Sequence, residues 1–149
     1  MKKSLLMLTI LSVSLCFNGL AFAEGFTNAS FQGHYSMRAS LGPTAAALGE
    51  ATADGDGNVS GTGIENHPVL NQRMVIPVDM EGTYTVNENG TGTVTYTVGA
   101  YGISNDLIMD IVIMDAEVVN GVKLATEVFG IPRGSGRTVA TFTMKRLPD

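Results

Sequence analysis

From Gly33 to Arg146 the chain repeats one pattern: short runs in which apolar and polar residues alternate, each ended by Gly, Asn, Asp or Pro. A period of two puts one set of side chains on each face of an extended strand, whereas a helix needs apolar residues three or four apart. In the first run, Gly33 to Leu41, Tyr35, Met37, Ala39 and Leu41 alternate with His34, Ser36, Arg38 and Ser40, and Gly42-Pro43 ends it. Ala45 to Ala53 and Asn58 to Glu65 flank Asp54-Gly55-Asp56-Gly57, a hairpin signal. Arg73 to Val78 reads as a fourth strand, with Pro77 pointing to an edge or a bulge. Gly82 to Asn87 and Thr93 to Val98 read as a hairpin, with Tyr84 and Val86 on one face and Val94, Tyr96 and Val98 on one face of the return. Leu107 to Met114, Val122 to Phe129 and Thr138 to Arg146 follow, separated by Asn120-Gly121 and by a loop over 130–136. The pattern predicts an all-β domain of eight or nine strands. A single antiparallel meander of this length removes its edges by closing into a small barrel of about eight strands. Helix is expected only before Phe31, as a short 3₁₀ turn.

The N-terminus reads differently. Lys2 and Lys3 precede a weakly polar-to-apolar run from Leu5 to Phe17, and Ala21-Phe22-Ala23 has small residues at a cleavage spacing. This is the form of a secretory signal peptide, so residues 1–23 are expected to be removed and 24–149 to be the single barrel domain. The apolar run is shorter than the roughly 20 residues of a spanning helix, and no stable membrane anchor is expected. An exported protein, periplasmic or extracellular, follows from the leader. Cys16 is the only cysteine and lies in the leader, so residues 24–149 can hold no disulfide, thiol nucleophile or thiolate metal site. Those residues contain 17 Gly, 14 Thr and 13 Val, a strand-and-turn composition. They carry seven basic against fourteen acidic side chains, a formal net charge of −7. That balance argues against nucleic acid or an anionic membrane surface as the partner.

Phe31-Gln32-Gly33-His34-Tyr35 resembles the opening of the lipocalin and calycin barrels, where Gly-x-Trp begins the first strand. The resemblance implies that Tyr35 takes the place of the aromatic that closes one barrel end. It also implies that Arg146 or Lys145, from the last strand, packs over it, with Gly33 part of the closure. The stretches 49–61 and 82–86, with Gly90-Thr91-Gly92-Thr93, are similar to small secreted bacterial proteins that look like allene-oxide-cyclase-type or lipocalin-type barrels.

Few residues have the spacing of a chemical site. Asp54, Asp56, Asn58 and Glu65 fall at positions one, three, five and twelve of a calcium loop, but Val59 stands where the sharp-turn Gly belongs and strands flank it. The better reading is an acidic β-turn; no metal and no cofactor are expected. His34 is expected to face away from Tyr35 and Met37, and His67, before Pro68, to lie in a loop. Asp110 interrupts an apolar run, so it faces water or has a partner, for which Arg38 and Arg73 are candidates. Glu50 and Glu127 lie within strands, and two inward carboxylates could do acid–base work. Tyr35, Met37, Tyr84, Tyr96 and Met109, with Tyr101, Met74 and Met80, could line an apolar pocket. They could equally fill the core, because an eight-strand barrel is just wide enough for its own side chains.

Three functions fit. The first is an exported non-catalytic barrel that binds a small apolar molecule. The second is a cyclase- or isomerase-type enzyme that holds an apolar substrate in shape. The third is an envelope structural or interaction protein with a filled barrel, pairing through its strand surface with a partner or with itself as a homo-oligomer.

Overall fold

The computed structural model describes residues 25–43, 45–69, 72–100, 103–133 and 140–148. The expected leader, residues 1–23, lies outside them, as does Tyr101. Eight strands follow in order: β1 (Gln32–Leu41), β2 (Ala46–Asp54), β3 (Asn58–Val69), β4 (Gln72–Val86), β5 (Thr91–Ala100), β6 (Ile103–Val119), β7 (Val122–Pro132) and β8 (Ala140–Arg146). Each pairs antiparallel with the next, and β8 returns to β1 from Tyr35↔Arg146 to Leu41↔Ala140, closing the barrel. One 3₁₀ turn, Asn28–Ser30, precedes β1. The domain is all-β, one meander without a free edge, as the alternation predicts.

Several boundaries differ from the sequence reading: β5 (Thr91–Ala100) and β6 (Ile103–Val119) run beyond the expected Thr93–Val98 and Leu107–Met114. The runs at 73–78 and 82–87 are one strand, because Met80 keeps the inward phase between them. Pro77 lies within β4 and pairs with Ile64 of β3, and the described β4–β5 ladder runs from Asp79↔Gly99 to Val86↔Gly92. Ile131 and Pro132, placed in a loop, extend β7 opposite Asp110 and Met109. His67, also placed in a loop, continues β3 opposite Met74.

Register fixes which side chains face inward, since directly paired residues share a face. Tyr35, Ala51, Ala53, Tyr84, Val94, Met109, Ile111, Val128, Phe142 and Met144 form the buried core. The opposite phase is largely polar: Ser36, Arg38, Glu50, Thr52, Ser60, Glu81, Thr83, Thr95 and Thr97 are exposed. Where a bulky ring leans over the adjacent strand, its cross-strand partner is a glycine: Gly130 beside Phe142 and Gly82 beside Tyr96. A Cβ on Gly130 would enter the Phe142 ring, and one on Gly82 would meet Tyr96 Cβ at 2.6 Å.

Candidate functional site

One end of the barrel is closed by aromatic rings. Phe31, fully buried, meets Tyr35 and Tyr84 edge-on, with centroids 5.0 and 4.9 Å apart. Such edge contacts are favourable, and each phenol finds a partner, as buried hydroxyls must. Tyr35 donates to the Ala125 carbonyl at 3.1 Å, and Tyr84 donates to the Phe31 carbonyl at 2.6 Å. The Gly55 N–H donates to the Tyr84 hydroxyl at 2.8 Å, tying the β2–β3 turn to the same floor. Burial pushes both phenols up, Tyr84 to about 12 and Tyr35 further, although the nearby Arg146 charge pulls Tyr35 back. Asn28 Oδ1 accepts from the Val86 N–H at 2.8 Å, and the Phe26 N–H donates to Glu88 at 3.0 Å, so residues 26–31 are laid across this end.

Alternation separates the two basic residues of β8. Lys145 points outward to Glu127 at 3.3 Å, while Arg146 opposes Tyr35, has its Nε over Gly33 and reaches Glu117 at 3.2 Å. Gly33, at φ +125, leaves room for that guanidinium where any side chain would be both strained and crowded. Lys123 stands over the Phe26 ring, 5.1 Å from its centroid.

Above the floor lies an apolar void of about 30 Å³, lined by Met37, Met80, Met144, Val59, Tyr96 and Phe142 among others. That is room for two or three waters, at about 10–15 Å³ each, and among the described residues its polar lining comes from Ser60 and Tyr96. Of the sequence-derived pocket residues, Met37 and Tyr96 border this space, with Met80. Tyr35 and Tyr84 belong to the floor, and Met109 is packed into the core. A broader, open depression of about 700 Å³ lies outside the barrel between Thr52, Asp54, Ser60, Glu81 and Thr97.

The opposite end is the mouth. Met74 and Leu107, in the inward phase, are 40% and 39% exposed. Glu65 pairs with Ala47 and Ile76, both buried, so its carboxylate shares their inward face, and His67 follows two residues on. His67 Nε2 bonds to Glu65 Oε2 at 2.8 Å. Tyr96 is raised by burial and, second, by the charge of Glu65, which links the pair to the void that Tyr96 lines. Sequence reasoning missed this pair. Gly61 and Gly63 occupy the preceding inward positions of β3, so the apolar half of the alternation is silent there.

The remaining candidates face outward. Glu50 pairs across to Ser36 and Thr62, and Glu127 meets Lys145, so these carboxylates do not converge inside. His34 is exposed and bonds to Thr52 at 3.0 Å. Asp110 is a surface residue bonded by Arg133, not by Arg38 or Arg73. That guanidinium holds the Asp110 carboxyl below its ordinary range. In the β2–β3 turn, Asp54 Oδ1 accepts the N–H groups of Asp56, Gly57 and Asn58 at 2.8–3.0 Å, and Asn58 Nδ2 binds the other oxygen. Those bonds, Asn58 first, lower Asp54 to about 2. Glu65, the twelfth residue of the calcium-like spacing, is on an inward face remote from the turn in the β3 ladder, so these oxygens do not form one shell.

Comparison with protein-family models, with curated proteins and with solved structures gives no match.

Proposed function

We propose that the protein is an exported, non-catalytic barrel that takes a small apolar molecule into its interior through the mouth. The observation that carries this reading is the apolar void beneath a solvent-reached mouth, walled by Met37, Met80 and Met144. Methionine has three rotatable bonds and a polarizable sulfur, so it moves aside and repacks around a guest more cheaply than a branched side chain. On β2 and β3 the cross-strand neighbours of Met37 and Met80 are Gly49 and Gly61, and the Met80 side chain lies over Gly61, so small residues flank these methionines. The aromatic floor seals the far end, so a guest has one way in. The closure by Tyr35, Gly33 and Arg146 agrees with the resemblance to calycin-type barrels, and the leader-like residues 1–23 support export.

The small size of the void favours a second reading, a filled barrel that acts through its outer surface. Met114 and Ile131 stand exposed on the outer face of β6 and β7, where a partner or a second copy could cover them. A neutral environment-sensitive dye, N-phenyl-1-naphthylamine, separates the two on purified residues 24–149. Saturable fluorescence gain and a raised melting temperature support the interior site; a guest at a hundred times its Kd adds about 2.7 kcal/mol. No uptake, with the melt unchanged, supports the filled barrel.

A further inference from the structure

The inside of the barrel is not uniformly apolar. Among the described side chains, Arg146 lies at the closed end, spent on Glu117 and the floor, while Glu65 and His67 face inward at the mouth. His67 occupies Oε2 of Glu65, which leaves Oε1 to an incoming donor. Tyr96 joins the two zones, because it lines the void and lies within the field of the Glu65 carboxylate. The cross-strand inward neighbours of the pair on β2 and β4 are Ala47, Ile76 and Met74, which offer packing surface and, among these described residues, no charge.

We propose that the guest is a cationic amphiphile: a protonated amine held at Glu65, with its hydrocarbon part in the space bordered by Tyr96, Met37 and Met80. This rests on the interior-binding reading above and names the ligand class of that same site. A carboxylate at the mouth disfavours fatty acids and other anionic amphiphiles by like-charge repulsion, which is stronger in a partly desolvated site than in water. A partly buried carboxylate gains most from a partner that brings both a positive charge and several N–H donors, and a primary ammonium brings three. The long-range field acts in the same direction, since the chain carries a formal net charge of −5.

The test compares decylamine, decanol and decanoate below their aggregation concentrations, by displacement of N-phenyl-1-naphthylamine at pH 7. The expected order is decylamine first by about tenfold or more over decanol, with decanoate weakest. Glu65→Gln keeps the side-chain shape and is expected to bring decylamine down to the affinity of decanol. Glu50→Gln, an outward change of equal charge, is expected to leave the tenfold preference in place. The unmodified protein gives a second measurement that needs no variant. It has two histidines, and decylamine is expected to shift the imidazole resonances of His67 and not those of outward His34. Dye uptake with equal affinity for amine and alcohol, or an amine preference that survives Glu65→Gln, overturns the cationic assignment and leaves the apolar site standing. Absence of any uptake, dye included, overturns both.

Discussion

At the closed end, Tyr35 and Tyr84 bond to backbone carbonyls and meet Phe31 edge-on, and the chain from Phe26 to Phe31 is pinned across them. At the mouth, Glu65 and His67 bond to each other, and Met74 and Leu107 keep about two-fifths of their surface in water. Both ends belong to the same eight strands, so the backbone ladder does not distinguish them. The difference is in the side chains: one end has buried rings with satisfied hydroxyls, the other polar groups with solvent access. On the proposed reading, the residues that lock the barrel and those that would admit a guest are separated along its axis, and substitutions at the two ends should behave differently.

The largest contrast is expected between Tyr35 and His67. Tyr35→Ala removes a fully buried ring from contact with Phe31 and orphans its acceptor, so it should cost about 3 kcal/mol or more. Tyr35→Phe keeps the ring and should cost about 1 kcal/mol, the worth of one buried hydrogen bond. His67→Ala, at the partly exposed mouth, should stay within about 0.5 kcal/mol. Urea denaturation of the three variants checks this. A Tyr35→Ala midpoint equal to that of the parent would remove the floor as the stabilising end.

Gly130 tests the middle of the barrel. Its missing side chain is the space that the Phe142 ring fills, so Gly130→Ala forces the ring away and should cost about 1–3 kcal/mol. Gly130→Ala with Phe142→Leu should recover part of that loss, a coupling that separate sites do not show.

What was legible in the sequence follows from the same geometry. The phase of β1 is legible because Tyr35, Met37 and Ala39 alternate with charged and hydroxyl side chains, and that phase places Tyr35 inside. The meander is legible because Gly-Asp and Gly-Asn turns punctuate it. The mouth is not legible, because the inward positions of β3 read Val59, Gly61, Gly63, Glu65, His67, a phase with hardly any apolar residues. The long β4 is hidden by Pro77 and by Asp79-Met80-Glu81, where two charges point outward around one inward Met. The partner of Asp110 is hidden for a different reason: Arg133 is distant in sequence, and only the β6–β7 register brings it close.

Alkali should distinguish the ends by titration. The chain has four tyrosines, of which Tyr35, Tyr84 and Tyr96 are raised, Tyr84 to about 12. A phenol raised on folding holds its proton in the native state after the unfolded chain has lost it. Its stabilisation is therefore complete below the ordinary value of about 10 and is lost as pH rises through the folded value. Absorbance at 295 nm should lag in the native protein relative to the protein in urea, and stability should fall between about pH 10 and 12. Tyr84→Phe should flatten that fall, while Glu65→Gln, which removes only the second cause of the Tyr96 shift, should flatten it less.

Acid should produce the smallest effects, and it asks whether the closed end extends into its turn. Asp54 carries the β2–β3 turn through bonds to Asn58, Asp56 and Gly57, and the same turn presents the Gly55 N–H to Tyr84. Its carboxyl is lowered to about 2 from an ordinary 3.8, so its contribution is present above the ordinary value and is lost as pH falls from about 4 toward 2. Asp54→Ala should therefore lower the thermal midpoint at pH 7, and the gap to the parent should close across that acid window. Asp110, on the outer wall, is lowered in the same direction by Arg133, but both side chains are largely in water. Asp110→Ala should change the midpoint less than Asp54→Ala, and its effect should shrink further in molar salt, which screens an exposed ion pair but not a set of turn hydrogen bonds. Equal loss from the two substitutions, with equal salt dependence, would show that Asp54 acts as one more surface charge and that the closed end stops at the tyrosine hydroxyls.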